Sequence, residues 1–256
     1  MEDLKLSFLQ GAENKEAEQK GKRNANALLS NIRPIFSDAA REAYDFELPD
    51  MSSLLTAKGW RRVGKQAYRL PDIKVIEEIA NPKKLEKLKK ESRNAYLGFL
   101  LAFCAGLRAK EIAHARRSWI NGKQVFVTME GDFETKAKRD RTVEIPPWAA
   151  AEILEASESP DYLLSGSEEQ RYDEMLKTLN KWLRARGLDR RQPTHELRKL
   201  FGAYVTNTRD IYTAQKFLGH STPQITNDTY ADIFLDNSIK NFWDRSPEER
   251  NQAANK

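Results

Sequence analysis

The sequence predicts a mainly α-helical protein with a small antiparallel β-ribbon, an α+β fold class. Apolar residues recur at helical spacing along most of the 256 residues, and two short β-branched runs lie near the middle of the chain. Hydrophobic residues make up 39% and charged residues 32%, with 12 Gly and 10 Pro, a composition that excludes collagen-like and grossly disordered proteins. We therefore expect a core of packed helices with one hairpin added.

The first 70 residues are expected to form a small front domain. Residues 1–20 mix charges of both signs and predict a loosely held lead-in with at most one short helix. Apolar residues at helical spacing over residues 22–46 predict a pair of helices, because Pro34 kinks or splits the segment. Turn-forming residues at positions 48–70 predict a connector to the second domain.

The second expected domain, residues 71–256, contains most of the predicted helices. Helical patterns cover residues 72–80, 82–105, 107–115, 147–156, 168–186, 194–207 and 211–218, and a tail from residue 235 onward. Gly106 is expected to end the helix before it, which places Arg108 at the opening of the next one. Residues 124–129 and 142–145 are short and β-branched, and they predict the two strands of the ribbon.

Several classes of protein are excluded or unsupported. The longest apolar run, residues 95–107, is shorter than the roughly 18–20 residues needed to cross a bilayer, so no membrane span is expected. Cys104 is the only cysteine, and the N-terminus lacks secretory features, so a cytoplasmic protein without an intrachain disulfide is expected. The net charge of +5 is compatible with nucleic acid but does not decide the function.

Two motif-like segments fail on chemical grounds. Residues 59–65 resemble the start of a phosphate-binding loop, but Gln66 follows where a hydroxyl for magnesium is needed. His195 and Glu196 resemble the start of a zinc-protease helix, but Lys199 occupies the position of the second ligand. We therefore expect neither a cofactor nor a metal.

One constellation carries chemistry. Its members are Arg108, His195, Arg198, His220 and Tyr230. Each guanidinium presents a planar fork to phosphate oxygens, and two forks suit the extra charge of a pentacoordinate transition state. The tyrosine supplies an oxygen nucleophile, weak at its normal pKa of about 10 and in need of an electropositive setting. The set suits attack on a phosphodiester without a metal.

The order and spacing of these boxes, from residue 71 to about residue 234, resemble the catalytic domain of the tyrosine recombinase (phage integrase) family. The resemblance implies the catalytic fold of that family, with Tyr230 as nucleophile and a lysine of the β-hairpin as proton donor. Counting back from Arg141 indicates Lys136, with Lys138 as the alternative. The catalytic residues implied are Arg108, Lys136, His195, Arg198, His220 and Tyr230.

The resemblance also implies partners and a reaction. The expected reaction is site-specific cleavage and rejoining of DNA strands through a 3′-phosphotyrosine, as in the integrase of a mobile element. The expected partners are duplex DNA and, on synapsed DNA, a homotetramer; a monomer without DNA and accessory DNA-bending proteins also fit, and no membrane partner is expected. Residues expected to contact DNA phosphates are Lys83, Lys84, Lys138, Arg139 and Lys199. Residues 1–70 then correspond to a partial core-binding domain.

Structural interpretations of the same residues stay open at this point. Arg108 and Glu111 have the spacing of an exposed helix salt bridge, and His220 follows what could be an ordinary helix end. Three other tyrosines compete with Tyr230, namely Tyr162, Tyr204 and Tyr212. The tail either packs on its own domain or docks on a neighbouring protomer. A catalytically inactive DNA-binding protein and a type IB topoisomerase-like enzyme are the alternative functions.

Overall fold

The computed structural model describes residues 6–44, 59, 68–131, 133–230, 233–235 and 237–254. The chain divides into two compact units, Met1–Gln66 and Ala67–Lys256. The described residues are mainly helical, with one three-stranded antiparallel sheet in the larger unit, so the predicted fold class is confirmed. Most of the predicted connector lies outside the described residues, and the predicted domain boundary at residue 70 stays a prediction.

Among its described residues, the first unit contains two helices joined by a 3₁₀ turn. Helix α1 (Lys15–Ile32) begins earlier than predicted because the side chain of Asn14 caps it and accepts a hydrogen bond from Ala17 N at 2.9 Å. Residues 15–20 of the expected lead-in are therefore helical. The 3₁₀ turn (Arg33–Phe36) contains Pro34 and separates α1 from α2 (Asp38–Tyr44), as the proline predicts.

The second unit contains eleven helices among the described residues, with the sheet between the fourth and fifth of them. The helices are α3 (Ile73–Ile79), α4 (Pro82–Glu91), α5 (Arg93–Ala105), α6 (Ala109–His114), α7 (Pro147–Ala156), α8 (Met175–Arg184), α9 (Pro193–Thr208), α10 (Ile211–Leu218), α11 (Pro223–Tyr230), α12 (Asn237–Asp244) and α13 (Pro247–Ala254). A π-helical turn (Gln170–Glu174) leads into α8.

Three differences from the predicted elements have local causes. The single helix expected over residues 82–105 is broken at Ser92, whose extended backbone and side chain cap α5. Helix α11 is not predicted, since its Thr and Asn residues have low helix propensity. The expected tail helix is two helices, because Ser246 and Glu249 form a capping box before α13.

Helix α5 forms the centre of the larger unit. Every residue from Ala95 to Ala105 is buried, and the helix packs against α4, α7, α8 and α9. Gly106 then turns the chain in a left-handed conformation with φ 61°, which favours glycine. This turn ends α5 and places Arg108 at the N-cap of α6.

The sheet consists of β1 (Ile120–Asn121), β2 (Gln124–Val127) and β3 (Arg141–Glu144), in the order β1-β2-β3. The two-residue β1 is not predicted because it is too short to show alternation. Strands β2 and β3 are antiparallel, with Val127 opposite Arg141. The loop between them carries the basic residues of the ribbon.

The tail packs on its own domain. The indole of Trp243 is fully buried and stacks between the rings of Phe103 and Tyr204, with centroid distances of 4.4 Å and 4.7 Å. Its Nε1 donates to Phe103 O at 2.7 Å, and Trp148 Nε1 donates to Trp243 O at 2.8 Å. Within the described residues, none of the helices has the length and apolar character needed to cross a membrane.

Candidate active site

The buried carboxylate of Glu111 lies among guanidinium groups from distant parts of the chain. Glu111 is 2% exposed and lies in the first turn of α6. Arg141 of β3 donates Nη1 to Oε1 at 2.8 Å and Nη2 to Oε2 at 2.6 Å. Arg108 donates Nη1 to Oε1 at 3.1 Å and its backbone N–H to Oε2 at 2.7 Å. The exposed-salt-bridge interpretation of Arg108 and Glu111 is therefore wrong, because the carboxylate is buried.

Glu111 stays ionised at neutral pH. Burial raises its pKa, but the hydrogen bonds and charge of Arg141, together with the charge of Arg198, hold that pKa below its usual value. Arg198 Nη1 lies 4.0 Å from Glu111 Oε2. One carboxylate thus lies among three guanidinium groups, which leaves a local excess of positive charge.

The guanidinium of Arg198 is oriented by backbone carbonyls. Its side chain is 3% exposed, and it donates Nη1 to Gly106 O and Nη2 to Leu218 O. Burial and the nearby charge of Arg108 lower the pKa of Arg198 to about 9, so the group is still protonated at neutral pH. Arg108 Nη2 donates to Gly219 O at 3.2 Å. Both arginines therefore meet at the end of α10.

His220 follows directly after that helix end. Gly219 ends α10 in a left-handed conformation with φ 58°, and the Nδ1 of His220 lies 2.9 Å from Thr226 Oγ1. Burial and the charges of Arg198 and Arg108 lower the pKa of His220 to about 4. The ring is therefore neutral at neutral pH, and its Nε2 has no hydrogen-bond partner among the described residues.

His195 lies in the first turn of α9, one turn before Arg198. Its side chain is exposed and makes no hydrogen bond with any residue that the structure describes. Partial loss of water around the ring and the charges of Arg198 and Lys199 lower the pKa of His195 to about 4. Both histidines are thus neutral groups beside permanent cations.

Tyr230 is buried against α9. It ends α11 and is 2% exposed. Its ring lies against Gly202 of α9, and the ring of Tyr68 meets it edge-on at 6.3 Å. Burial raises the pKa of Tyr230 while Arg198 opposes that shift. Because so little of the side chain is exposed, an incoming phosphate reaches the hydroxyl only after Tyr230 or its neighbours move.

The loop between β2 and β3 is ordered around Thr135. Thr135 is 2% exposed, its Oγ1 donates to Arg139 O at 2.9 Å, and it accepts from Arg139 N at 3.1 Å. Arg139 Nη2 in turn donates to His220 O at 2.9 Å, which ties the loop to the candidate site. Lys136 is exposed and has no hydrogen bond or ion pair with a described residue, whereas Lys138 Nζ lies 3.7 Å from Glu134.

Three of the five cations expected to contact DNA, and other cations in and beside α4, are already paired with carboxylates. In and beside α4, the ion pairs are Lys84 with Glu78, Lys87 with Glu91, Lys89 with Glu152, Lys90 with Glu86, and Arg93 with Glu158. Lys199 binds Glu196 at 2.8 Å and lies 4.7 Å from the centre of the Tyr68 ring. Lys83 has no carboxylate partner within the described part of the chain.

Comparison with protein-family models shows to which family the chain belongs. Residues 72–235 match the model described as the phage integrase family, and this segment covers more than half of the chain. The chain belongs to the phage integrase family. Membership implies site-specific DNA recombination as the class of activity, and it confirms the resemblance seen in the sequence.

Individual relatives agree with this membership. The chain is 28% identical over 212 residues to tyrosine recombinase XerA of Thermococcus onnurineus (strain NA1), covering 80% of this chain and 69% of that protein. A structure of a lambda integrase (75-356) dimer bound to a COC′ core site has a TM-score of 0.60 at 16% identity, covering 92% of this chain and 81% of that one.

A second solved structure, the Tn1549 transposon integrase in complex with transposon right end DNA, has a TM-score of 0.51 at 14% identity. It covers 99% of this integrase-family chain and 85% of the other chain. At such identities both structures show a shared fold.

The structure brings together Arg108, Arg198 and His220, and places His195 one turn from Arg198. It also adds Arg141, to which the sequence reasoning gave no role in the site. One signal could have found it. Arg141 lies two residues before the buried Val143 in β3, and residues at that spacing lie on the same face of a strand, so the side chain of Arg141 points to the inner face. A cation on an inner face requires a buried partner, here Glu111.

Proposed function

We propose that this integrase-family chain cleaves and rejoins duplex DNA at a specific site through a 3′-phosphotyrosine intermediate. The observation that carries the proposal is the convergence of Arg108, Arg198 and His220 at the end of α10 around one carboxylate. The surplus positive charge favours an anion there, and planar guanidinium forks match the non-bridging oxygens of a phosphodiester.

The residues divide the chemistry among them. Tyr230 Oη attacks phosphorus, so that a bond forms between tyrosine and phosphate while the bond from phosphorus to the 5′ oxygen breaks. His195, a neutral base without a partner among the described residues, accepts the phenolic proton, and Lys136 gives a proton to the departing 5′ oxygen. The two arginines hold the charge of the transition state.

The second half of the reaction reverses the first. A 5′ hydroxyl from a partner strand attacks the phosphotyrosine and releases Tyr230, so one ester replaces another. The energy of the broken bond is kept in the intermediate, and rejoining therefore needs no nucleotide cofactor.

A covalent-trap experiment tests whether the buried Tyr230 acts as the nucleophile. The protein is incubated with nicked duplex DNA whose cleaved fragment diffuses away, which prevents rejoining. We expect an adduct that survives denaturation and is absent for Tyr230→Phe. Binding without any adduct would instead indicate a DNA-binding protein without turnover, and relaxation of supercoils without strand exchange would indicate a type IB topoisomerase-like enzyme.

We propose that the protein is the integrase of a mobile element. The assembly proposed for the reaction is a homotetramer on two synapsed duplexes. Lys83, Lys84, Lys138, Arg139 and Lys199 are proposed to contact phosphates, with DNA displacing the carboxylates that now pair with three of them. Sedimentation of the protein with one and with two copies of a target duplex tests the stoichiometry.

A further inference from the structure

We propose that Arg141 is a positioning residue for the proton-donating lysine of the ribbon, an inference that rests on the proposed function. Its guanidinium joins three parts of the larger unit. It pairs with Glu111 at the start of α6 through both terminal nitrogens, and its Nε donates to Phe217 O in α10 at 2.9 Å. The side chain itself starts from β3 and is 7% exposed.

The geometry of this contact fixes orientation as well as distance. Two parallel hydrogen bonds between a guanidinium and a carboxylate hold both planes, which a single ammonium group cannot do. Gly219 permits the close approach, because a β-carbon there would lie 3.1 Å from Arg141 Cδ. The start of β3 is therefore held against the same helix end that binds Arg108.

Further contacts hold the ribbon loop between Arg141 and Lys136. Arg139 binds His220 O, and Thr135 clasps the backbone of Arg139 with two hydrogen bonds. Lys136 comes directly after Thr135 and has no partner among the described residues. An exposed lysine, unpaired within the described part of the chain, thus follows a loop segment with several anchors, of which the pair between Arg141 and Glu111 is the most deeply buried.

This placement matters because a proton donor acts only within hydrogen-bond reach of the atom it protonates. Small displacements of a catalytic group cost about 100-fold in rate. Replacing Arg141 by Lys keeps the charge and removes the fork. The change should therefore weaken protonation of the leaving 5′ oxygen while the phosphate is still held by Arg108 and Arg198.

The test compares two nicked substrates, one with the normal 5′ oxygen at the scissile bond and one with sulphur in its place. A thiol has a pKa of about 8.5, so the thiolate departs without a proton donor. We expect Arg141→Lys to slow adduct formation by roughly 10–100-fold with oxygen and by less than about threefold with sulphur. Lys136→Ala should show the same rescue, and Arg198→Ala should be slow on both substrates.

Arg117→Lys is the matched control, since Arg117 is a partly buried arginine that binds the carbonyls of Leu154 and Ser157 away from the site. We expect it to cleave both substrates at the unaltered rate. The double variant Lys136→Ala/Arg141→Lys should be no slower than Lys136→Ala alone, because both changes remove one function.

Three results would overturn the inference: equal slowing of Arg141→Lys on both substrates, no slowing on either, or full additivity with Lys136→Ala. If Arg141→Lys fails to fold in a thermal melt, Arg141→Gln, whose amide keeps one hydrogen-bonding group toward Glu111, is compared on the same substrates. Absence of any adduct from the unaltered protein with either substrate would refute the proposed function instead.

Discussion

The ring of Tyr230 lies directly against the backbone of Gly202, so closely that a β-carbon on that glycine would be 2.5 Å from Tyr230 Cζ. Gly202 is one helical turn beyond Arg198 on α9, so the proposed nucleophile contacts the same face of α9 that carries Arg198, the proposed phosphate ligand. The contact makes Gly202 a sensitive point for the position of the tyrosine.

Gly202→Ala should therefore destabilise the domain by about 1–3 kcal/mol, the usual cost of inserting a methyl group into a packed core. Gly98→Ala is the comparison, because a β-carbon there would lie 2.6 Å from Sδ of the buried Met175, a flexible side chain instead of a rigid ring. Denaturant unfolding of both variants checks the prediction. A smaller loss for Gly202→Ala than for Gly98→Ala would contradict the proposed packing of Tyr230.

Arg108→Ala and Arg198→Ala should each reduce cleavage by about 10²–10³ or more, since each removes a donor aimed at developing charge. DNA binding, measured by gel shift at fixed salt, should change little because other cations contact the duplex. The adduct yield per bound complex separates the two effects. Loss of binding with normal cleavage per complex would show that these arginines do not act in catalysis.

The two candidate general acids differ in their surroundings. Lys136→Ala should slow cleavage by about 10²–10⁴, the usual contribution of a proton donor. Lys138→Ala should have little effect, because its ammonium lies beside Glu134 on the exposed side of the loop. Single-turnover rates with the nicked substrate compare the two variants. The reverse ranking would assign the role to Lys138.

The histidines predict how stability depends on pH. Their pKa values of about 4 in the folded protein lie below the value of about 6.5 for an unfolded chain. The unfolded state therefore binds more protons between these pH values, and stability should fall as the pH drops from about 6.5 toward 4. His220→Gln should flatten part of that fall, as measured by unfolding at pH 5 and pH 7.5. An unchanged pH dependence would contradict the neutral state of His220.

Trp243→Ala should destabilise the domain by about 3–5 kcal/mol, because it removes a fully buried indole from between two rings. Trp148→Phe is a milder comparison that removes one hydrogen bond to the tail. Thermal unfolding ranks the two variants. The mass of the Trp243→Ala variant without DNA is compared with that of the unaltered protein. We expect the same oligomeric state for both, because the tail packs on its own domain.

The sequence was sufficient for the fold class and for the order of the boxes, because residue types and helical spacing are local properties. The strand pattern indicates an inward-facing Arg141, but it could not show the partner of that side chain, because the carboxylate of Glu111 lies thirty positions earlier in the chain. The sequence also could not show that Lys89 of α4 and Arg93 of α5 are paired, since their partners Glu152 and Glu158 are distant in the chain. It could not show the burial of Tyr230 either, because that burial depends on contacts with Gly202 of α9 and with Tyr68.

The stacking of Trp243 between Phe103 and Tyr204 limits which surfaces of α12 and α13 can contact another protomer. Withdrawing the indole would uncover two aromatic faces and break the hydrogen bonds to Phe103 and Trp148 together. In the proposed tetramer, neighbouring protomers would therefore touch the outward side of α12 and α13, because the inward side stays packed on its own domain.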